Sequence, residues 1–223
     1  MQTLRITLNK KLESEAIRYL GYGKHAIDER TKEMIQDSLK ELEEISNVRF
    51  IYRIFEVSFL ENKKENGLRL EALEIHSKNL KKNLQDCPKA ILFCITLGTE
   101  VDRLIRRYSI TDMSRAVVMQ ACAAAFLEAA CDLAQEYMKK ELEPGWYFRP
   151  RFSPGYGDFS IFHQRDILQM LEVPKKIGVT MTDSYMMTPT KSVTAVIGMS
   201  HVKQICHVAG CEQCVKKDCI YRR

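Results

Sequence analysis

The stretch Arg151-Phe152-Ser153-Pro154-Gly155-Tyr156-Gly157-Asp158 sets a planar cation four residues ahead of a Gly-Tyr turn. A guanidinium holds a carboxylate or phosphate through two parallel hydrogen bonds, which an ammonium cannot reproduce. Gly155 and Gly157 have no Cβ, so their backbone N–H and C=O groups can lie against a flat ligand. Tyr156 adds an aromatic face with a polar tip. The chemistry such a string supports is the gripping of an anionic, planar small molecule. Taken alone, the same residues also describe an ordinary surface turn rich in Pro and Gly.

A second group with chemical potential is Cys206, Cys211, Cys214 and Cys219, spaced Cys-x4-Cys-x2-Cys-x4-Cys at the C-terminus. In a reducing compartment such a cluster reads as metal-binding or redox-active rather than as disulfides. Its first three members share the spacing of plant-type ferredoxins, which points to an iron–sulfur cluster. Four thiolates equally suit a structural zinc, and unligated thiols at a frayed terminus are the third reading. Lys216, Lys217, Arg222 and Arg223 in the same tail suit an acidic redox partner. Cys87, Cys94, Cys122 and Cys131 lie singly among apolar residues and read as small buried hydrophobes.

The frame that must position these groups is that of a small globular chain. Its 223 residues are 45% apolar and 28% charged, enough for a substantial core. The net charge of +5 comes from interspersed Lys, Arg, Asp and Glu, with no aromatic-basic patch for nucleic acid. No apolar run approaches the roughly 18 to 20 residues that span a bilayer, and Met1-Gln2-Thr3-Leu4-Arg5 has no signal pattern. A cytoplasmic protein with no membrane partner is the expectation, organised as one domain over residues 1–200 and a cysteine-rich tail over 201–223.

Leu4, Ile6 and Leu8 alternate as a short strand, and Lys11–Leu20 reads as a brief helix ended by glycines. Asp28–Ile45 carries Thr31, Ile35, Leu39, Leu42 and Ile45 on one stripe and charge on the other. Val48–Leu60 reads as a long strand, and the polar stretch through Gly67 as a turn into a second one. Ser77 is placed to cap a helix over Lys78–Gln85, and Ala90–Leu97 reads as a buried strand ended by Gly98. Thr99–Tyr108 is helical. Thr111 or Asp112 then caps the longest helix, whose Ala121–Ala130 interior is small and apolar. Glu128, Asp132 and Lys139-Lys140-Glu141 make it a core helix rather than a membrane span. Glu143 to Phe148 reads as a loop delivering the chain to the candidate site, and Gln164–Leu171 as an amphipathic segment. Ile177–Thr182 and Ser192–Met199 read as closing strands, with Met186–Thr190 between them kept irregular by Pro189.

From residue 149 to 199 the order of motifs resembles the activation domain of vitamin B12-dependent methionine synthase. The RxxxGY turn (Arg151–Tyr156), the segment Ile177-Gly178-Val179-Thr180 and the segment from Ser184 through Met187, Pro189, Ser192 and Thr194 follow one another at similar spacings. The resemblance implies an α+β fold, a central twisted antiparallel sheet with flanking helices. It implies that Arg151, Ser153, Pro154, Gly155, Tyr156 and Gly157 hold S-adenosylmethionine, Arg151 pairing with the methionyl carboxylate. Of the acidic residues the family uses for the methionine amino group, Glu143, or its neighbour Glu141, takes the place shortly before the Arg. The other finds no position here. Tyr156 and His163 would face a corrinoid, while Lys191 and Ser192 shape the floor of the groove. The chain runs into its cysteine tail where the family has a further aromatic contact.

On this resemblance the chain is a standalone activation subunit. It would support reductive methylation of cob(II)alamin on a cobalamin-dependent methionine synthase lacking its own activation domain, with a flavodoxin or ferredoxin donor. The protein then acts by positioning, as part of a methyltransferase system, with no catalytic acid or base of its own. Two alternatives stand beside it: a non-catalytic scaffold or sensor for a corrinoid protein, and a small iron–sulfur electron carrier centred on the tail.

Overall fold

The computed structural model describes residues 1–22, 25–60 and 67–203. The elements run β1 (Gln2–Leu4), α1 (Lys10–Tyr19), α2 (Glu29–Ile45), β2 (Val48–Phe59), β3 (Gly67–Leu70), β4 (Leu73–His76), α3 (Lys78–Asn83), β5 (Lys89–Thr96), α4 (Thr99–Thr111), α5 (Met113–Glu141), β6 (Tyr147–Phe148), α6 (His163–Met170), α7 (Val173–Ile177), β7 (Thr180–Met181), β8 (Met187–Thr188) and β9 (Ser192–Ser200). They divide into two compact units. One holds Arg49–Thr96 and the described residues from Glu136 onward, and the other holds Thr3–Val48 and Leu97–Gln135.

The first unit is built on an antiparallel sheet of order β4-β3-β2-β5-β9-β6. β5 lies at its centre, Phe93 opposite Tyr52 on β2 and Ala195 on β9. Its run Ala-Ile-Leu-Phe-Cys-Ile is buried on both faces, which explains an apolar sequence without alternation. One face of the sheet (Ile51, Phe55, Leu92, Cys94, Val196) packs against Leu80 and Leu84 of the α3 segment, Ile167 and Leu168 of α6, and Val173 and Ile177 of α7. Arg53 on β2 donates to the Met170 carbonyl at 2.8 Å, fixing the end of α6. On β2 Phe50 meets Phe93 and, edge-on, Tyr137 of α5 at 5.6 Å.

The second unit is helical, and α1, α2 and α5 begin at side-chain caps while α4 starts from Gly98 without one. Asn9 accepts from the Leu12 N–H, Asp28 from Thr31 and Asp112 from Arg115. The Glu41 carboxylate on α2 accepts the Tyr108 hydroxyl of α4 and, at 2.6 Å, the Arg115 guanidinium of α5. By length and composition α5 passes for a membrane span, despite lacking an unbroken apolar run. However, 61% of its most apolar window is buried inside the fold, as a core helix requires.

Several boundaries differ from the sequence reading. α4 runs on to Thr111, with the Ser109 and Thr111 hydroxyls bonding back to the Ile105 and Arg107 carbonyls of its last turns. The strand expected over Ile177–Thr182 shrinks to Thr180–Met181. Val173–Ile177 is instead a short helix with Pro174 in its first turn, closed by Gly178 at φ +72°. Met187–Thr188, expected to be irregular, pairs with that strand as β8. Tyr147–Phe148, expected as loop, is an edge strand on β9.

Candidate functional site

β6 leads the chain along the edge of β9 toward the glycine turn. Arg149 N–H donates to the Gly198 carbonyl at 2.8 Å, and Phe152 exchanges both backbone hydrogen bonds with Val196 at 2.9 and 2.8 Å. The turn therefore departs from a fixed point on the last long strand. Within it Tyr156 N–H donates to Ser153, Phe159 N–H to Tyr156 and, at 2.7 Å, Gly155 N–H to Phe159. Gly155 has φ +92° and Gly157 φ +55°, conformations that side-chain-bearing residues rarely adopt. Pro154 is buried beneath, while Gly155, Tyr156 and Gly157 are exposed. The result is a ledge of open backbone bearing an aromatic ring, with Arg151 half-buried at its root.

The far end of the turn is tied to α3. The Asp158 carboxylate accepts the Ser77 hydroxyl at 2.5 Å, the Lys78 N–H at 2.7 Å and the Asn79 N–H at 3.1 Å. These donors, the Ser77 hydroxyl foremost, hold its carboxyl below the ordinary aspartate range. Ser77 meanwhile caps α3 by accepting from the Leu80 N–H.

Behind the ledge stands a row of rings. Phe152 neighbours both Tyr156, at 6.5 Å between centroids, and Phe159, at 6.2 Å. Phe159 stacks on His163 at 5.6 Å. His163, the first residue of α6, also contacts Asp166 through Nδ1 at 3.1 Å. Tyr156 itself is 68% exposed, and Ile161, Phe162 and Met186 are exposed apolar residues of the same unit. A Cβ at Gly155 would stand 3.4 Å from the Ile161 side chain, which places that residue at the edge of the ledge.

The motif segments further along the chain meet around Gln164. This buried amide donates to the Tyr185 carbonyl at 2.8 Å and lies 3.8 Å from the Met181 sulfur, while the Thr194 hydroxyl donates to its Oε1 at 3.4 Å. It thereby joins α6 to the β7–β8 hairpin and to β9. Tyr185, at φ +62°, is flanked by the Phe162 ring and the Arg165 guanidinium. The buried Ser192 hydroxyl donates to the Pro189 carbonyl at 2.7 Å and lies 2.9 Å from the Thr96 hydroxyl.

The structure thus brings Ser153, Pro154, Gly155, Tyr156 and Gly157 into one turn with Arg151 at its base and His163 behind the rings. Glu143 is exposed in the connection between α5 and β6. Cys206, Cys211, Cys214 and Cys219 lie outside the described residues. Among the described residues no group of three or more His, Cys, Asp or Glu is placed to hold a metal. Sequence reasoning missed the anchoring role of Asp158 and the bridging role of Gln164.

An antiparallel sheet covered by helices, with a glycine ledge hung from its last long strand, has a counterpart among solved structures. The chain is similar to one described as "Crystal Structure of the MetH Reactivation Domain bound to AdoHcy", with a TM-score of 0.61 over 91% of this chain and 79% of that one, at 14% identity. At that identity the likeness speaks for the α+β fold. The family model for "Vitamin B12 dependent methionine synthase, activation domain" matches residues 61–220, and the chain belongs to that family. No curated protein matches it.

Proposed function

We propose that this chain binds S-adenosylmethionine on the Arg151–Gly157 ledge and supports reductive methylation of cob(II)alamin carried by a separate cobalamin-dependent methionine synthase. The observation that carries the reading is the ledge itself: Gly155 and Gly157 at positive φ shape an exposed turn beside the Tyr156 ring, with the half-buried Arg151 at its root. That geometry fits a flat, zwitterionic ligand. Family membership supports it, as does the ligand named for the similar fold.

In this reading Arg151 takes the methionyl carboxylate through a bidentate contact, and Glu143 takes the amino group. Ser153, Pro154, Gly155, Tyr156 and Gly157 line the ligand. When bound, S-adenosylmethionine supplies an electrophilic methyl group, and the work of this chain is to orient it. Tyr156 and His163 face the corrinoid of the partner. Residues 1–200 form the activation module, working in the cytoplasm with a flavodoxin or ferredoxin donor. Residues 201–223 form an appended tail whose Cys206, Cys211, Cys214 and Cys219 hold an iron–sulfur cluster or zinc. Elemental analysis of anaerobically purified protein decides the tail: iron with acid-labile sulfide or stoichiometric zinc supports a metal site, and neither removes it.

The test of the ligand site is a calorimetric titration of S-adenosylmethionine into the protein and into Arg151→Ala. Saturable binding weakened by tenfold or more in the variant, about 1.4 kcal/mol, supports the clamp. No heat at millimolar ligand in either protein rejects S-adenosylmethionine binding by the chain alone and favours a non-catalytic corrinoid-protein scaffold.

A further inference from the structure

Asp158 stands outside the residues assigned to the ligand, yet it ties the ledge to a distant segment of the chain. Its exposed carboxylate collects a hydroxyl and two backbone N–H groups from Ser77, Lys78 and Asn79, about eighty positions earlier in the chain. The first turn of a helix leaves several backbone N–H groups without intrahelical partners, and an N-cap side chain satisfies one of them. In α3 Ser77 takes the Leu80 N–H, and Asp158 takes those of Lys78 and Asn79. A residue directly after the ledge thus completes the cap of this six-residue helix, so one carboxylate ties the two segments together.

The ledge gains from the same tie. Its internal hydrogen bonds set its shape, the buried Pro154 and Phe159 seat it on the core, and hydrogen bonds at its two ends join it to other elements. The leading end is the Phe152–Val196 bridge. The trailing end is Asp158, directly after Gly157. The fit there is close: a Cβ on Gly157 would stand 2.4 Å from Nδ2 of the Asn79 side chain.

We propose that Asp158 is a positioning residue for the ligand ledge, pinning residues 155–157 to the start of α3 so that their backbone and the Tyr156 ring are preorganised before ligand binds. This rests on the S-adenosylmethionine reading for its functional consequence but not for the pinning. Preorganisation removes an ordering cost from binding, so loss of the pin weakens affinity even where the fold survives.

Two measurements on the full chain, with Asp158→Ala and Asp158→Asn, test it. The first is amide hydrogen exchange without ligand. Asp158→Ala should speed exchange at Gly155, Tyr156, Gly157 and Phe159 while β5 and β9 keep their protection. Asp158→Asn, which keeps one acceptor oxygen but sets an NH2 against a backbone N–H in place of the other, should fall between the parent and Asp158→Ala. The second is titration with S-adenosylmethionine at a temperature where all three proteins are folded. Asp158→Ala should bind tenfold or more weakly, a difference of about 1.4 kcal/mol or more, with Asp158→Asn between it and the parent. Unchanged exchange on the ledge in Asp158→Ala overturns the pin. Altered exchange with undiminished affinity overturns its role in positioning and leaves a helix cap. If the parent itself fails to bind, the ligand reading falls, and the exchange result still decides the pin.

Discussion

The side-chain amide of Gln164 donates to the main-chain carbonyl of Tyr185 at 2.8 Å across twenty-one positions of sequence, from inside the apolar face of α6. Gln164 is 5% exposed, and the hydroxyl of Thr194 occupies its other end. Gln164→Leu would fill the space and leave a carbonyl and a hydroxyl unsatisfied. The expected loss is about 1–3 kcal/mol. Urea denaturation checks it, and local exchange should rise first in the β7–β8 hairpin.

Gly198 on β9 sits where three side chains converge. A Cβ there would stand 2.8 Å from the Cys87 sulfur, 2.8 Å from Leu84 Cδ2 and 2.9 Å from Arg149 Cγ. Leu84 is fully buried, and Arg149 and Cys87 nearly so. Gly198→Ala therefore forces overpacking, with an expected cost of about 1–3 kcal/mol. The thermal midpoint should fall by roughly 2–4 °C per kcal/mol for a chain of this size, read by calorimetry.

Asp158 makes stability pH-dependent in a defined direction. Its folded carboxyl lies below the ordinary value of 3.8, chiefly through the Ser77 hydroxyl. The charged form is the one favoured by folding, so its contribution is complete above the unfolded value and is lost as pH falls through the folded one. The stability gap between the parent and Asp158→Asn should be largest near neutral pH and close as the medium is acidified through the carboxylate range. Urea midpoints across that range measure it, and a constant gap contradicts the assignment.

The cysteines of the described region should be chemically silent. Burial pushes the Cys122 thiol up to about 12, and its sulfur lies 3.8 Å from the Ile35 carbonyl. Burial also raises Cys87. A thiol that stays protonated is a poor nucleophile. Iodoacetamide at about pH 8 should leave Cys122 unmodified in the native protein and label it in urea. Peptide mass mapping distinguishes the two.

Much of the frame was legible because its signals are local. Asp28 and Ser77 announce their helices by standing one residue ahead of them, where a side-chain oxygen reaches an unpaired N–H. The Ala90–Ile95 run had to be a strand buried on both faces, since it is too short for a core helix and has no polar side. The glycines at 155 and 157 marked a turn, and the structure gives both positive φ. Gln164 left a trace as well. It shares the i, i+3, i+4, i+7 stripe of Ile167, Leu168 and Leu171, and a polar residue on an apolar stripe calls for a buried partner.

Periodicity, capping and glycine placement act between neighbours, so the long elements, the family and the place of the ledge along the chain could be read from sequence, while the short β6, α7 and β8 could not. Only the tertiary structure decided which distant groups complete them. Asp158 reaches α3, Gln164 meets the Tyr185 carbonyl, and Phe152 bridges to Val196, contacts spanning about eighty, twenty-one and forty-four positions. No local rule encodes such partners. They follow from sheet order and helix packing, which bring remote donors and acceptors together where water is excluded and each must be satisfied.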